Sequence, residues 1–176
     1  MAPELEQIRR ELEAITNSWS EVDWLKARPT KWTNAQILEH LLLTYTGTTK
    51  GLRLILDGSR SLAGNSSFAN RVRTFVVTRL GVMPARREAF KGIRPQHGLD
   101  PDSMRRFYDA LVAMDATLND AERRFGKRVR LMDHPFLGPL NAQEWRLFHR
   151  THTRHHLKQM VETVREGIAA DRQVSA

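Results

Sequence analysis

Apolar residues along most of this chain recur at steps of three and four positions, which is the spacing of one face of an α-helix. Near the amino terminus the repeating set is Leu5, Ile8, Leu12, Ile15 and Trp19. This set predicts a first helix from about Pro3 to the late teens, with a broken continuation to Lys26. Residues 75–77 resemble a strand locally, but no β-hairpin signal and no sustained alternation interrupts the helical pattern.

Two capping boxes mark the starts of two further helices. Thr33 stands three residues before Gln36, and Asn141 stands three residues before Glu144. In this spacing each side chain can accept a hydrogen bond from the backbone N–H of the other residue. The first box predicts a second helix to about residue 56, and the second predicts a last helix to about residue 168.

The third long helix has a different start signal, in which Asp100 serves as the cap and Pro101 takes the first helical position. Gly126 is positioned to end it. A short extra helix, over about residues 67–80, is predicted inside the long crossover between the second and third helices. Four long amphipathic helices with one crossover predict an all-α four-helix bundle, and the length predicts a single domain over residues 1–176.

The composition restricts the chemistry that the bundle can perform. The 176 residues include no cysteine, which excludes disulfides, thiolate metal sites and a catalytic cysteine. Any bound metal must therefore be held by nitrogen and oxygen. The first residues lack the apolar segment of a signal peptide, and no uncharged run approaches the ~20 residues that span a bilayer. We therefore expect a cytoplasmic protein with no membrane partner.

The formal net charge is +8, and nearly all of the excess lies in one segment. Residues 60–98, which we call the basic crossover, contain a single acid, Glu88, and have a local net charge of +7. The basic residues are Arg60, Arg71, Arg73, Arg79, Arg86, Arg87, Lys91 and Arg94. Such a segment could hold an anionic cosubstrate, engage nucleic acid, or be a merely solvated loop.

Four of the seven histidines, His149, His152, His155 and His156, fall within eight residues of the predicted last helix. At about 100° per residue, His152 and His156 lie about 40° apart and one turn along, so both imidazoles can reach one ion. His149 and His155 lie about 60° to either side of His152. We therefore expect those two at the edge of the site.

A metal site in the bundle core needs a ligand from another helix, and His40 is the only histidine of the predicted second helix. It lies in an apolar run, residues 37–43, where a histidine should have a partner. Three neutral imidazoles with one open position are typical of a catalytic site for zinc, nickel or iron. The alternative is a solvated, His-rich last helix with His40 bonded to a carbonyl in the core.

Other metal motifs do not fit this sequence. HExxH is absent, and so are the Glu-x-x-His pairs of ferritin-like di-iron bundles, because Glu39 and Glu144 are followed three residues later by leucine. Glu39 projects about 100° away from His40 on a helix, so we expect it at the surface. His134, next to a proline in an apolar loop, is expected to pack in that loop or to anchor it, and His97 to be solvated.

Residues 32–40, 134–145 and 152–159 resemble the DinB-like (YfiT-type) superfamily of metal-binding four-helix bundles. The closest likeness is to its uncharacterised bacterial subgroup, whose HPF-x-G-P-L and H-x-x-H-H-L-x-Q motifs correspond here to HPFLGPL and HTRHHLKQ. The resemblance implies that His40, His152 and His156 bind one divalent metal ion. The basic crossover lies outside the resemblance.

Characterised members of the resembled superfamily include S-transferases, in which the metal activates a low-molecular-weight thiol, and a mycothiol-dependent isomerase. The resemblance thus implies a metal-dependent thiol S-transferase or hydrolase-like enzyme that acts on a small-molecule substrate, with the thiol as cosubstrate. One alternative is a non-catalytic module that engages nucleic acid through the basic crossover. We do not expect this partner, because no helix-turn-helix, zinc finger or aromatic-interleaved basic motif is present. Another alternative is a non-catalytic homodimer.

Overall fold

The structure is a computed structural model that describes residues 1–83, 89–98 and 102–174, of which residues 168–174 are described by their backbone alone. Its α-helices are α1 (Pro3–Thr16), α2 (Glu21–Leu25), α3 (Asn34–Leu56), α4 (Phe68–Leu80), α5 (Ser103–Phe125) and α6 (Ala142–Val174). A 3₁₀ turn, Lys91–Ile93, lies between α4 and α5, and the short strands β1 (Met132–His134) and β2 (Gly138–Leu140) precede α6. Helices make up 67% of the structure, which confirms the all-α prediction.

The long helices α1, α3, α5 and α6 pack together as a bundle, with α3 against α5 and α1 against α6. Each contributes apolar side chains at steps of three and four residues, so that one face of every helix is withdrawn from water. The largest fully buried side chains include Leu5, Ile8 and Leu12 from α1, Leu38, Leu41, Tyr45 and Leu52 from α3, and Phe107, Leu111, Met114 and Leu118 from α5. In the described part of the chain, no helix is both long enough and apolar enough to span a membrane.

Both predicted capping boxes are confirmed. Thr33 Oγ1 accepts a hydrogen bond from the backbone N–H of Gln36 at 3.1 Å, and the Gln36 side chain accepts the Thr33 N–H at 3.0 Å. Asn141 and Glu144 make the same reciprocal pair, with both distances at 2.9 Å. These bonds satisfy N–H groups that the helices cannot pair internally, so they determine where α3 and α6 begin.

The remaining helix boundaries agree with the sequence in most places. Gly126 ends α5 with a φ of 95°, a conformation that glycine tolerates best. The predicted cap Asp100 and the following Pro101 lie outside the described residues. The predicted short helix of the crossover is present as α4. The last helix continues to Val174, beyond its predicted end, because no proline or further glycine follows Gly167 to stop it.

A small β-hairpin precedes α6, and the expectation that no hairpin interrupts the helices is wrong. Strands β1 and β2 are antiparallel, with Met132 opposite Leu140 and His134 opposite Gly138. His134 Nδ1 accepts hydrogen bonds from the backbone N–H groups of Phe136 and Leu137, each at 3.1 Å. The histidine therefore closes the turn, which is the loop-anchoring role that its sequence context predicted.

A buried ion-pair cluster, which we did not predict from the sequence, ties α6 to α5 and to the amino terminus. The Arg146 side chain is only 4% exposed and donates to Asp115 at 2.9 Å and to Glu122 at 3.0 Å. It also donates to Asn119, and Asp115 accepts a further bond from the backbone N–H of Ala2. Because every member is paired inside the bundle, the cluster determines how α6 lies against α5.

Replacing Arg146 tests this cluster. Arg146→Met leaves the Asp115 carboxylate buried without its charged partner, so we expect the free energy of unfolding to fall by about 3–5 kcal/mol in urea titrations. Arg105→Met is the matched control, because Arg105 pairs with Asp102 and Asp109 at the surface. It should cost less than about 1 kcal/mol. Equal losses in the two variants would show that the buried cluster has no special role.

Protonation of His134 should weaken the fold at acid pH. Burial lowers the pKa of His134 to about 4, whereas an unfolded histidine titrates near pH ~6.5. Below that pH the unfolded state takes up the proton first. The contribution of His134 to the free energy of unfolding is therefore fully present above pH ~6.5, and it falls as the pH drops toward ~4, by at most about 1.4 kcal/mol per pH unit. In urea titrations from pH 7 to 4.5, His134→Asn should show a shallower decline than the wild type. Parallel curves would contradict this account.

Candidate metal centre

The packing of α3 and α6 brings together the three histidines that the sequence analysis selected. His40 lies on α3, and His152 and His156 lie one turn apart on α6. The Nε2 atom of His152 is 3.3 Å from Nε2 of His40 and 3.2 Å from Nε2 of His156. One ligand atom from each of the three residues lies within 4.8 Å of the other two. We call these residues the histidine triad.

The spacing of these nitrogens fits one tetrahedral ion. Zinc binds histidine nitrogen at about 2.0–2.1 Å, and in a tetrahedron two such nitrogens lie about 3.3–3.4 Å apart. The two separations measured from His152 are close to this value. The triad could therefore hold a metal ion with little movement of its side chains, with a fourth position left open.

The environment of the triad keeps its imidazoles uncharged. His40 and His152 are only 3% and 8% exposed, and His156 is partly buried. Burial lowers the pKa of all three, to about 3 for His156, and the neighbouring histidines add to the effect at His152 and His156. Neutral imidazoles keep a lone pair for a metal at neutral pH.

Hydrogen bonds outside the triad orient two of the three rings. His40 Nδ1 donates to the backbone carbonyl of Ile93 at 2.7 Å, so the proton of the neutral ring lies on Nδ1 and Nε2 is free to bind an ion. His156 Nδ1 lies 2.9 Å from the side-chain oxygen of Gln159. The alternative hypothesis, a core histidine bonded to a carbonyl, predicted such a bond for His40. The bond is present, but it uses Nδ1, so Nε2 still faces His152. His152 Nδ1 is buried and has no partner among the described residues.

Glu39, the neighbour of His40 in sequence, anchors the segment that carries Ile93. Its carboxylate accepts hydrogen bonds from the backbone N–H groups of Gln96, His97 and Gly98, at 3.0, 3.0 and 2.7 Å. Burial alone would raise the pKa of Glu39, but these bonds outweigh it and the pKa is lowered. The sequence analysis expected Glu39 simply at the surface. It did not predict that Glu39 binds residues 96–98, because a sequence does not show which distant segment packs against a helix.

The other two histidines of α6 lie outside the triad, as their helical phase predicts. His149 is fully buried and bonds through Nε2 to Thr48 Oγ1 at 3.1 Å. Burial lowers its pKa to about 3, so it is a neutral core residue. His155 Nε2 lies 3.1 Å from the Gln159 amide nitrogen, and its ring packs edge-on against His156 with the centroids 5.3 Å apart.

Aromatic rings enclose the triad on two sides. The Phe148 ring stacks on His152 with its centroid 5.4 Å away and an interplanar angle of 11°. The Trp32 ring lies 5.1 Å from His40. The Trp145 ring contacts His134, Phe148 and His149 instead. The apolar walls lower the local dielectric constant, which strengthens any electrostatic interaction at the open position.

A protein family of unknown function, DUF1569, matches residues 3–163 of the chain. The match extends from α1 through most of α6, so it includes the complete triad and the basic crossover. A search of the curated proteins and a search of the solved structures found no match. The family match does not name the DinB-like superfamily, so the resemblance to that superfamily stays a prediction.

Removing two ligands should abolish metal binding. We expect about one equivalent of a divalent ion per chain in the wild type after loading and desalting, and almost none in His152→Ala/His156→Ala, by elemental analysis. His155→Ala is the matched control, since it removes an imidazole of the same helix that is not a member of the triad. The control should keep its metal. Equal metal content in the wild type and the double variant would overturn the site.

Proposed function

The chain belongs to the DUF1569 family, and we propose that it is a metal-dependent thiol S-transferase acting on a small electrophilic molecule. In this proposal His40, His152 and His156 hold a divalent ion, either zinc, nickel or iron, and a low-molecular-weight thiol occupies the open position. The close approach of one ring nitrogen from each of these three histidines carries the proposal. The expectation of thiol chemistry comes from the resemblance to the DinB-like superfamily.

The character of the ligand set supports a catalytic rather than a structural ion. The group contains three residues, whereas structural zinc sites are normally closed by four. All three ligands are neutral, so the ion would keep its full charge and favour an anion in the open position. A divalent ion there supplies a Lewis acid that lowers the pKa of a bound thiol or water. The bundle also has an extensive apolar core of its own, so a metal is not needed to form the fold.

The chain's own residues would position the reactants and exclude water. Phe148 and Trp32 cover the triad on two sides and leave little room for bulk solvent. Ile93 and Gln159 hold the rings of His40 and His156 in orientation, which reduces the reorganisation needed during the reaction. The thiol sulfur would then form its bond to the electrophilic carbon as the leaving group departs with its electron pair, and the thiol proton would pass to solvent.

The basic crossover offers a binding site for an anionic cosubstrate. Lys91 is exposed in the 3₁₀ turn that also contains Ile93, the residue bonded to His40. Lys91 is therefore only two residues away from a direct contact of the triad. From there its ammonium group can attract the carboxylates of a thiol such as glutathione. Arg86 and Arg87, the other candidates for this role, lie outside the described residues.

The contacts of Arg73 give little support to the alternative function, in which the basic crossover binds nucleic acid. Arg73 is engaged within the fold, where it donates to the Asn70 side chain and to the backbone carbonyl of Phe136. Its guanidinium also lies over the Phe136 ring, 5.4 Å from the centroid. A guanidinium used in this way is less available to phosphates, so we rank the transferase first.

The transferase proposal is tested by the conjugation of glutathione, cysteine and other small thiols to 1-chloro-2,4-dinitrobenzene, which releases chloride. We expect the zinc-, nickel- or iron-loaded wild type to accelerate the reaction with at least one thiol. His152→Ala should lower kcat/KM at least about 100-fold, His155→Ala should retain activity, and Lys91→Gln should mainly raise the KM for a carboxylate-bearing thiol.

Two outcomes separate the site from the reaction. Stoichiometric metal with no acceleration of any thiol would overturn the transferase proposal and leave the metal site intact. Equal rates in the metal-loaded protein and in protein treated with a chelator would show that conjugation does not depend on the triad.

A further inference from the structure

A cavity that no residue of the triad lines lies between α4 and the beginning of α6. Its volume is about 310 Å³. Residues that define it are Arg71, Thr74, Phe75 and Arg79 from α4, Arg130 from the segment before β1, and Leu147 from α6. We call it the arginine cleft. Three guanidinium groups around one cavity of this size make it a candidate site for an anion.

The positive charge of the cleft is not neutralised by the protein. The side chains of Arg71 and Arg79 are exposed and have no hydrogen-bond or ion-pair partner among the described residues. The one acid of the lining, Glu144, is already paired with Arg130 and with the backbone N–H of Asn141. The chain from residue 58 to residue 87 contains no acid at all. Two unpaired guanidiniums therefore flank the cavity and favour an anionic occupant.

The side chain of Thr74 gives an independent sign of an unmet polar contact. It lies between Arg71 and Arg79 on α4, is only 5% exposed, and its hydroxyl oxygen has no hydrogen-bond partner among the described residues. Thr78, one turn later, bonds to the carbonyl of Thr74 at 2.7 Å, as threonines inside helices usually do. A buried hydroxyl without such a bond is uncommon and indicates that a polar partner is missing.

The apolar part of the lining indicates that the occupant is more than an inorganic ion. Phe75 is 56% exposed and lines the cleft together with Leu147. Phe68 and Val72, which precede Phe75 on the same face of α4, are also exposed. The side chains that α4 buries are smaller: they are Thr74, Val77 and Thr78. The helix thus exposes its larger apolar side chains to solvent. An apolar group bound beside the arginines would cover part of that surface.

The cleft has a fixed wall, because α4 is attached to its neighbours at two points. A Cβ atom added to Gly138 of β2 would clash with the Asn70 side chain, so the two residues approach as closely as glycine allows. Farther along α4, Thr151 Oγ1 of α6 donates to the carbonyl of Val77 at 3.0 Å. The arginine positions are therefore held in place before any ligand arrives, which lowers the entropic cost of binding.

We propose that the arginine cleft binds a small organic anion, in which a phosphate or carboxylate contacts Arg71 and Arg79 and an apolar group packs on Phe75 and Leu147. The site does not depend on the proposed function, because no residue of the triad lines it. Leu147 precedes His152 by five residues, which corresponds to about 7.5 Å along α6 and about 140° around it. The cleft and the triad therefore lie on different faces of the helix.

Phenyl phosphate is a suitable probe, because it combines a phosphate with an aromatic ring in a molecule that fits the cavity. By isothermal titration calorimetry we expect saturable binding to the wild type, and at least about a tenfold weaker affinity in Arg71→Gln/Arg79→Gln. Lys50→Gln/Arg53→Gln is the matched control, since it removes the same charge from an exposed part of α3. It should change the affinity less than about twofold. Inorganic phosphate should bind more weakly than phenyl phosphate.

Three results would overturn the proposal. The first is the absence of saturable phenyl phosphate binding to the wild type. The second is an unchanged affinity in the Arg71→Gln/Arg79→Gln variant. The third is an equal loss in the Lys50→Gln/Arg53→Gln control, which would assign the binding to net charge rather than to the cleft. All three proteins keep the same triad, so binding of the probe to a metal cannot produce a difference between them.

Discussion

The close approach of three uncharged imidazole nitrogens inside the bundle is the constraint around which the proposed site is built. Nitrogens held 3.2–3.3 Å apart can share at most one proton per contact, and burial opposes the charged form of each ring. An arrangement of this kind is costly unless something binds the lone pairs. One divalent ion bound by all three nitrogens satisfies them together.

The crossover is attached to the helix that carries the first of these nitrogens. Two consecutive residues of α3 hold it, because Glu39 accepts the N–H groups of residues 96–98 and His40 donates to the carbonyl of Ile93. Neighbouring helical residues point about 100° apart, so the pair contacts the crossover at two separate places. The same contacts that order the segment also orient His40. The end of the basic crossover, which includes the exposed Lys91, is thereby brought next to the proposed reaction site.

Much of the fold and of the triad follows from local sequence signals. The apolar repeats and the capping boxes at Thr33 and Asn141 predict the bundle helices, since these signals act within a few residues. Helical phase alone pairs His152 with His156. The contribution of His40 depends on how α3 packs against α6, which helical phase does not show. We could predict His40 as a ligand only from its apolar neighbours in sequence and from the resemblance to known metal-binding bundles.

The features that sequence did not predict all depend on contacts between distant segments. The hairpin has strands of only three residues, too short to alternate, and it is closed by the His134 side chain. The pairing of Arg146 with Asp115 joins α6 to α5, and the arginine cleft exists only because α4 lies beside α6. A single sequence records which charges are present, but it does not record which of them meet.

X-ray absorption at the metal edge of the loaded protein tests the central claim most directly, because it reports the atoms bound to the ion. The account predicts three imidazole nitrogens at about 2.0–2.1 Å with one further light atom for zinc, and fewer bound imidazole nitrogens in His40→Ala. A shell made only of oxygen, or a spectrum that is identical in His40→Ala, would contradict it.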